Sequence, residues 1–318
     1  MASNLNRPEF QDADKAREFL EAIRWPDGPV CPHCGVIGDA HRIEGKGGAK
    51  GTKARPGLLA CGACRKQFSV TVGTVFEDSK VPLNLWIQAT FLLCSSKKGI
   101  SSHQLHRTLG VTYKTAWFMS HRIREAMREL NPPKLGGGGT VVEADEVYIG
   151  GRVRLKHRKP DGKIPRNKRR AYHDKEPVFS LVERGGKVRS FHVPRVNSAT
   201  LRPIMREQVE ADTRIHTDEA SYYKGVAEEF AGHETVTHSL HEYVRGDVTT
   251  NAIENYFSIL KRGLVGVYQH CSPKHLKRYI GEFDLRYNQR HVTDAERTVE
   301  VLKGIEGKRL TYAQPSNG

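Results

Sequence analysis

Apolar residues recur with helical spacing towards both ends of the chain and alternate as in strands through its middle, with Gly and Pro clusters between. Phe10, Ala16, Phe19, Leu20 and Ile23 give one apolar face to a helix from about Pro8 to Trp25, which Pro26-Asp27-Gly28 stops. Gln67 to Val72 alternates like a strand. From about Pro82 to Asn131 the helical period returns: Leu85, Trp86, Ala89, Leu92 and Leu93 form a stripe that Lys97-Lys98-Gly99 ends. Ser101 and Gln104 have capping-box spacing for a short second helix with Leu105 and Leu109 inward. Gly110 permits a sharp turn, and Thr112 can cap a third helix carrying Ala116, Trp117, Ile123 and Met127. Helix, glycine turn and helix is the helix-turn-helix pattern; an ordinary helical hairpin is the alternative.

Asn131 to Gly139, with two prolines and four consecutive glycines, reads as a linker. Beyond it strands come first and helices later. Thr140 to Ile149 is strand-like, and Val178–Val182 with Val188–Val193 flank Arg184-Gly185-Gly186-Lys187, a hairpin turn. Ala199 to Val209 reads as helical, then come a short strand Arg214–Asp218, a helix near Tyr222 to Phe230, and a strand around Thr235 to Leu240. Helices over Asn251–Lys261 and Pro273–Asn288 follow, and the stretch past Gly304 reads as a loose tail.

These segments give a multidomain α+β organisation: an N-terminal helix (1–28), a cysteine-rich module (29–76), a helix-turn-helix (80–131), a Gly-rich linker (132–139), a larger domain (140–292) and a tail (293–318). The larger domain carries a basic insertion over 152–176, with eleven Lys and Arg against three acids.

Charge adds a partner. The 318 residues hold 51 Lys and Arg against 36 Asp and Glu, a net +15, which favours polyanions and nucleic acid first. No apolar stretch approaches the ~20 residues that span a bilayer, and the N-terminus lacks a signal segment, so a cytosolic protein without membrane contact is expected. In the third helix of the helix-turn-helix, Tyr113, Lys114, Ser120, His121 and Arg124 are the candidate DNA contacts. The basic insertion, densest at Lys168, Arg169 and Arg170, suits backbone phosphates.

The cysteines add a metal. Cys31 and Cys34, then Cys61 and Cys64, form two Cys-x-x-Cys pairs, the donor set of one tetrahedral structural Zn²⁺. A redox Cys-x-x-Cys would not need a second copy, and His33 or His41 are weaker substitutes. Cys94 and Cys271 read as ordinary thiols.

Three carboxylates carry the chemistry. Asp145 lies in the first strand of the larger domain, Asp218 ends the later short strand, and Glu254 opens a helix that presents Lys261 two turns on. Converging carboxylates suit hard divalent cations, two of which can drive in-line phosphoryl transfer. Glu143 shares the strand face of Asp145 and Glu146 takes the other; both suit supporting or salt-bridging roles. His216 reads as a packed strand residue, and His238 and His241 as weak candidates for a second metal site.

Asp145, Asp218 and Glu254, with 35 residues between the last two and Lys261 seven after the glutamate, resemble the DDE signature of insertion-sequence transposases and retroviral integrases. The segment Glu143 to Gly151 and the stretch Asn251 to Gly263 resemble bacterial transposases with an N-terminal zinc ribbon. The resemblance implies an α/β ribonuclease-H-like catalytic domain with a mixed five-stranded sheet. It implies that Asp145 contacts both of two Mg²⁺ or Mn²⁺ ions, that Asp218 and Glu254 complete one site each, and that Lys261 meets DNA near the scissile phosphate. Some relatives carry Asn as the third member, which leaves Asn251 as a lesser alternative to Glu254. The implied activity is 3′-end cleavage at terminal inverted repeats and strand transfer into target double-stranded DNA, by a homodimer or larger oligomer on DNA. A DNA-binding regulator and a nuclease without strand transfer are the rival readings.

Overall fold

The computed structural model describes residues 4–44, 55–150, 175–237 and 244–312. They form two compact units: one holds the residues up to Glu129 and those from His291 on, the other Leu130–Arg290.

In the first unit the N-terminal helix is divided. α1 (Pro8–Gln11) and α2 (Ala13–Arg24) meet at Asp12, which is extended and whose carboxylate accepts the amides of Asp14 and Lys15 at 2.8 Å. A local cap therefore outcompetes one more residue of continuous helix. β1 (Ala40–Arg42), β2 (Leu59–Cys61) and β3 (Gln67–Phe68) make a small antiparallel sheet. The alternation seen up to Val72 ends at Phe68, because Val72 donates back to the Ser69 carbonyl (3.1 Å) and the chain turns.

α3 (Leu83–Ser95) is buried nearly all round, with Trp86, Ile87, Ala89, Thr90, Phe91, Leu93 and Cys94 inside. α4 (Ser102–Leu109) and α5 (Tyr113–Ala126) are capped as the sequence indicates: Ser101 Oγ accepts from Gln104 N–H and Thr112 Oγ1 from Thr115 N–H, both at 3.1 Å. Gly110 between them sits at φ +66°, the left-handed conformation that favours glycine. The expected tail is also corrected. Residues Asp294–Lys303 form a helix started by a reciprocal Thr293–Glu296 capping box, with Val301, Leu302 and Ile305 buried.

The second unit is a five-stranded sheet between two helical layers. Its strands are β4 (Val141–Gly150), β5 (Lys175–Glu183), β6 (Val188–His192), β7 (Arg214–Asp218) and β8 (Gly232–Val236), ordered β6-β5-β4-β7-β8. β4, β5 and β6 pair antiparallel; β4, β7 and β8 pair parallel. One face carries Val142, Ala144, Phe179 and Leu181 against Leu201 and Met205 of α6 (Ser198–Gln208). The other carries Val147, Val178, Val182 and Val188 against Ile253, Phe257 and Leu260 of α7 (Asn251–Gly266) and Leu276 and Phe283 of α8 (Pro273–Asn288). A short hairpin, β9 (Val244–Arg245) with β10 (Val248–Thr249), leads into α7.

Two expectations change here. The helix near Tyr222–Phe230 is two 3₁₀ turns, Ser221–Tyr223 and Val226–Glu228, separated by Gly225 at φ +84°. The glycine stretch is a docked turn and not a tether: Leu135 is buried, and Gly137 and Gly138 donate to Thr213 Oγ1 (2.9 Å) and Asp212 Oδ2 (2.7 Å). Gly136, at φ +84°, lies so close to Thr213 that a Cβ would fall 2.2 Å from its hydroxyl.

Candidate active site

Asp145 projects from the face of β4 that α7 covers, and the strand register sets its neighbour. Val141, Val142 and Glu143 pair in parallel with Arg214, Ile215 and His216. Carrying that register two residues further sets Asp145 beside Asp218, on strands ~4.8 Å apart. Glu254 stands in the first turn of α7, exposed, with the Thr250 hydroxyl donating to its Oε1 at 3.2 Å.

The electrostatics bind these positions together. Burial, then the negative charges of Glu146, Asp218 and Glu254, push Asp145 up to about 8, opposed only by the Glu146 amide that donates to its Oδ1 at 2.7 Å.

The neighbours divide by strand face, as the alternation requires. Glu146, on the α6 side, is raised by burial and by Asp218, and it accepts hydrogen bonds from Tyr222 and Tyr223 (3.2 Å for the latter). Those tyrosines lie in the 3₁₀ turn just after Asp218, so they tie the Asp218 loop to β4. Among the described residues Glu146 is therefore hydrogen-bonded to phenols and in no salt bridge. Glu143 is wholly buried and salt-bridged to Arg184 at 3.0 Å. His216 is a buried strand residue, as expected. Sequence reasoning passed over Arg184, Tyr222 and Tyr223; only the closeness of the tyrosine pair to Asp218 offered a signal.

Along α7, Asn251, Glu254, Ser258 and Lys261 are exposed while Ile253, Tyr256, Phe257 and Leu260 pack on the sheet. Lys261 follows Glu254 by two turns on the same face. Further along the covered face, Ser190 donates to Asp284 Oδ1 through its hydroxyl (2.7 Å) and to Oδ2 through its amide (2.9 Å), and the Tyr256 hydroxyl also donates to that carboxylate.

The four cysteines meet in the first unit. The Sγ atoms of Cys31, Cys34, Cys61 and Cys64 all lie within 4.8 Å of one another, with Cys31–Cys64 at 3.7 Å and Cys34–Cys61 at 3.6 Å. Zn–S bonds of ~2.3 Å in a tetrahedron put sulfurs about 3.8 Å apart, so the donor set fits zinc. Both knuckles fold alike: the amides of Gly35 and Arg65 donate to the carbonyls of Cys31 and Cys61 at 2.9 Å, with both residues left-handed (φ +77° and +60°).

The candidate DNA contacts of α5 separate. Tyr113 and Lys114 are exposed, Tyr113 stacked on His103 and Lys114 over the Tyr312 ring at 4.5 Å. Ser120, His121 and Arg124 are buried and are withdrawn as contacts: Arg124 donates to Ser120 Oγ (2.9 Å), and His121 packs edge-on to Trp117. The polar groups of Ser120 and Arg124 thus serve internal bonding, and the His121 ring serves packing. Lys168, Arg169, Arg170, His238 and His241 lie outside the described residues.

Comparison with known proteins joins the two sites. Residues 134–288 match the sequence model of the ISXO2-like transposase domain, and residues 11–67 match the transposase zinc-ribbon domain. A protein of the transposable element ISH50 from Halobacterium salinarum is 30% identical over 285 residues, spanning 87% of this chain and 91% of its own length. The chain belongs to the insertion-sequence transposases. A transposase-like protein from Haemophilus influenzae is 31% identical over 119 residues, 37% of this chain and 93% of its own. In this transposase the zinc-ribbon match ends beyond all four cysteines, consistent with a structural Zn²⁺. The transposase-domain match spans Asp145, Asp218, Glu254 and Lys261. Among the described residues no helix is long and apolar enough to cross a membrane.

Proposed function

We propose that this transposase cuts DNA at the terminal inverted repeats of its element with Asp145, Asp218 and Glu254, and joins the freed 3′-hydroxyl to target DNA. The observation that carries the reading is the gathering of acids about Asp145: its strand register runs on to Asp218, and burial, then the charges of Glu146, Asp218 and Glu254, raise it to about 8. Hard carboxylate oxygens gathered in one place fit Mg²⁺ or Mn²⁺. When bound, two such ions would activate the attacking oxygen and stabilise the leaving oxygen of an in-line displacement.

Asp145, which feels both partners, would hold the shared position; Asp218 and Glu254 would each complete one side. Lys261, exposed on the Glu254 face of α7, would set a cation against the scissile phosphate. The strand order β6-β5-β4-β7-β8, antiparallel then parallel, supports a ribonuclease-H-like reading of the second unit. Helices α4 and α5, with exposed Tyr113 and Lys114, would act as a helix-turn-helix that reads the ends beside the zinc ribbon. The basic segment 152–176 would track DNA backbone, and pairing two ends calls for a dimer or larger assembly.

The test incubates the protein and Mg²⁺ with labelled element-end DNA and a target plasmid. Joined products that vanish in Asp145→Asn support the proposal. Cleavage without joining points to a nuclease, and activity undiminished in the variant removes the site.

A further inference from the structure

The acids of the site sit on three elements that would drift independently unless something fixed them to one another. One half-buried ion pair touches all three. Glu143 Oε2 accepts the amides of Ala252 (2.8 Å) and Ile253 (3.0 Å), the open N–H groups at the start of α7. Its Oε1 accepts from Arg184 Nη2 (3.0 Å) and Nε (3.4 Å). The same Arg184 Nη2 reaches His216 Nδ1 (3.3 Å) on β7 and the Thr249 carbonyl (3.3 Å), and Nη1 donates to the Asp247 carbonyl (2.8 Å).

On each of the three elements a contact lies one or two residues before an acid. Glu143 precedes Asp145 on the same strand face, His216 precedes Asp218, and Ala252 and Ile253 precede Glu254. With a side chain 1% exposed and both oxygens engaged, Glu143 is not free to become a ligand itself. We infer that the Glu143–Arg184 pair is the positioning device of the active site, setting the spacing of Asp145, Asp218 and Glu254 and thereby their affinity for divalent metal. The inference rests on the reading of those three acids as a metal site. Its logic is that of outer-shell partners, whose loss weakens metal binding about 10–100-fold while the ligands remain. Ordinary core salt bridges have no such reach, since they join elements without bracketing a ligand on each.

The experiment titrates Mn²⁺ by calorimetry into full-length, zinc-loaded wild type, Glu143→Gln, Arg184→Lys and Asp145→Asn, with circular dichroism to verify folding. Glu143→Gln keeps the shape and removes the charge that grips α7. It should bind Mn²⁺ about 10–100-fold more weakly. Its cleavage curve should move to higher Mn²⁺ by the same factor and return towards the wild-type rate at saturation, which a general folding defect would not allow. Arg184→Lys, at a side chain 34% exposed, keeps a cation without the fork and should shift in the same direction, which carries the test if Glu143→Gln does not fold. Wild-type Mn²⁺ affinity in either folded variant overturns the inference. Unaltered Mn²⁺ affinity in Asp145→Asn removes the underlying site instead, so the two failures are separable.

Discussion

Replacing Asp145 by Asn should stabilise the divalent-free protein at pH 8 and abolish its stabilisation by Mg²⁺. Asn keeps a carbonyl that can accept the Glu146 amide now bonded to Oδ1, so the main local hydrogen bond survives. What disappears is a carboxyl that burial and its acidic neighbours hold at about 8. An unfolded aspartate titrates near ~3.9, and each unit of difference is worth about 1.4 kcal/mol, so the ceiling is roughly 5–6 kcal/mol. Glu254 is exposed and water reaches the cluster, so screening reduces this to about 1–3 kcal/mol. The sign follows from proton counts. Between about pH 4 and 8 the native state holds a proton that the unfolded state has lost, so stability falls as pH rises through that window and levels off above it. The Asn variant lacks this slope, and its advantage should grow from pH 5 to pH 8. Calorimetric unfolding in chelator-free buffer, which leaves zinc in place, should show the transition of the second unit raised by roughly 3–10 °C at pH 8. Added Mg²⁺ at 100 times its Kd should stabilise wild type by about 2.7 kcal/mol and leave the variant unmoved. A variant no more stable than wild type at pH 8, or one that still gains from Mg²⁺, refutes the charge-cluster argument.

Stripping zinc, or Cys61→Ser, should unfold the first unit selectively; Trp25, Trp86 and Trp117 all lie there, so tryptophan fluorescence reports it alone. Lys261→Ala should lower DNA cleavage about 100-fold with Mn²⁺ affinity unchanged, because on the proposed reading it removes a cation facing substrate and no ligand. Arg65→Gly should raise the melting temperature of the zinc-loaded first unit, since Arg65 is left-handed at φ +60° and that conformation costs a side chain about 1–2 kcal/mol, part of which glycine returns in chain entropy.

What could be read in advance was what local chemistry specifies. The cysteine pairs declare themselves by spacing, and Ser101 and Thr112 cap the helices their positions indicate. Asp145 and Asp218 were legible as strand residues, but their adjacency depends on the register of a parallel pairing, which no short window encodes. His121 and Arg124 misled because polarity on a helix reads as solvent exposure, while here Arg124 spends its donors on Ser120 inside the unit. The four glycines misled similarly: their freedom serves a left-handed turn that Gly136 presses against Thr213, not a tether. The Glu143–Arg184 pair spans 41 residues and bonds mainly to backbone and to strand neighbours, so neither residue type nor spacing announced it.

Glu143 and Asp145 make the division of labour in the sheet explicit. They lie on one face of one strand, two residues apart, with the same charge. The protein compensates Glu143 from within, by a guanidinium and two amides at a helix start, and thereby fixes α7. It surrounds Asp145 with further carboxylates and supplies one amide. Both could have been neutralised with the same means, since the basic residues of this chain far outnumber its acids. Among the described residues Asp145 gains no such guanidinium, and on the proposed reading a divalent cation would supply that charge. The contrast between these two carboxylates is therefore the structural argument that favours the proposed metal site.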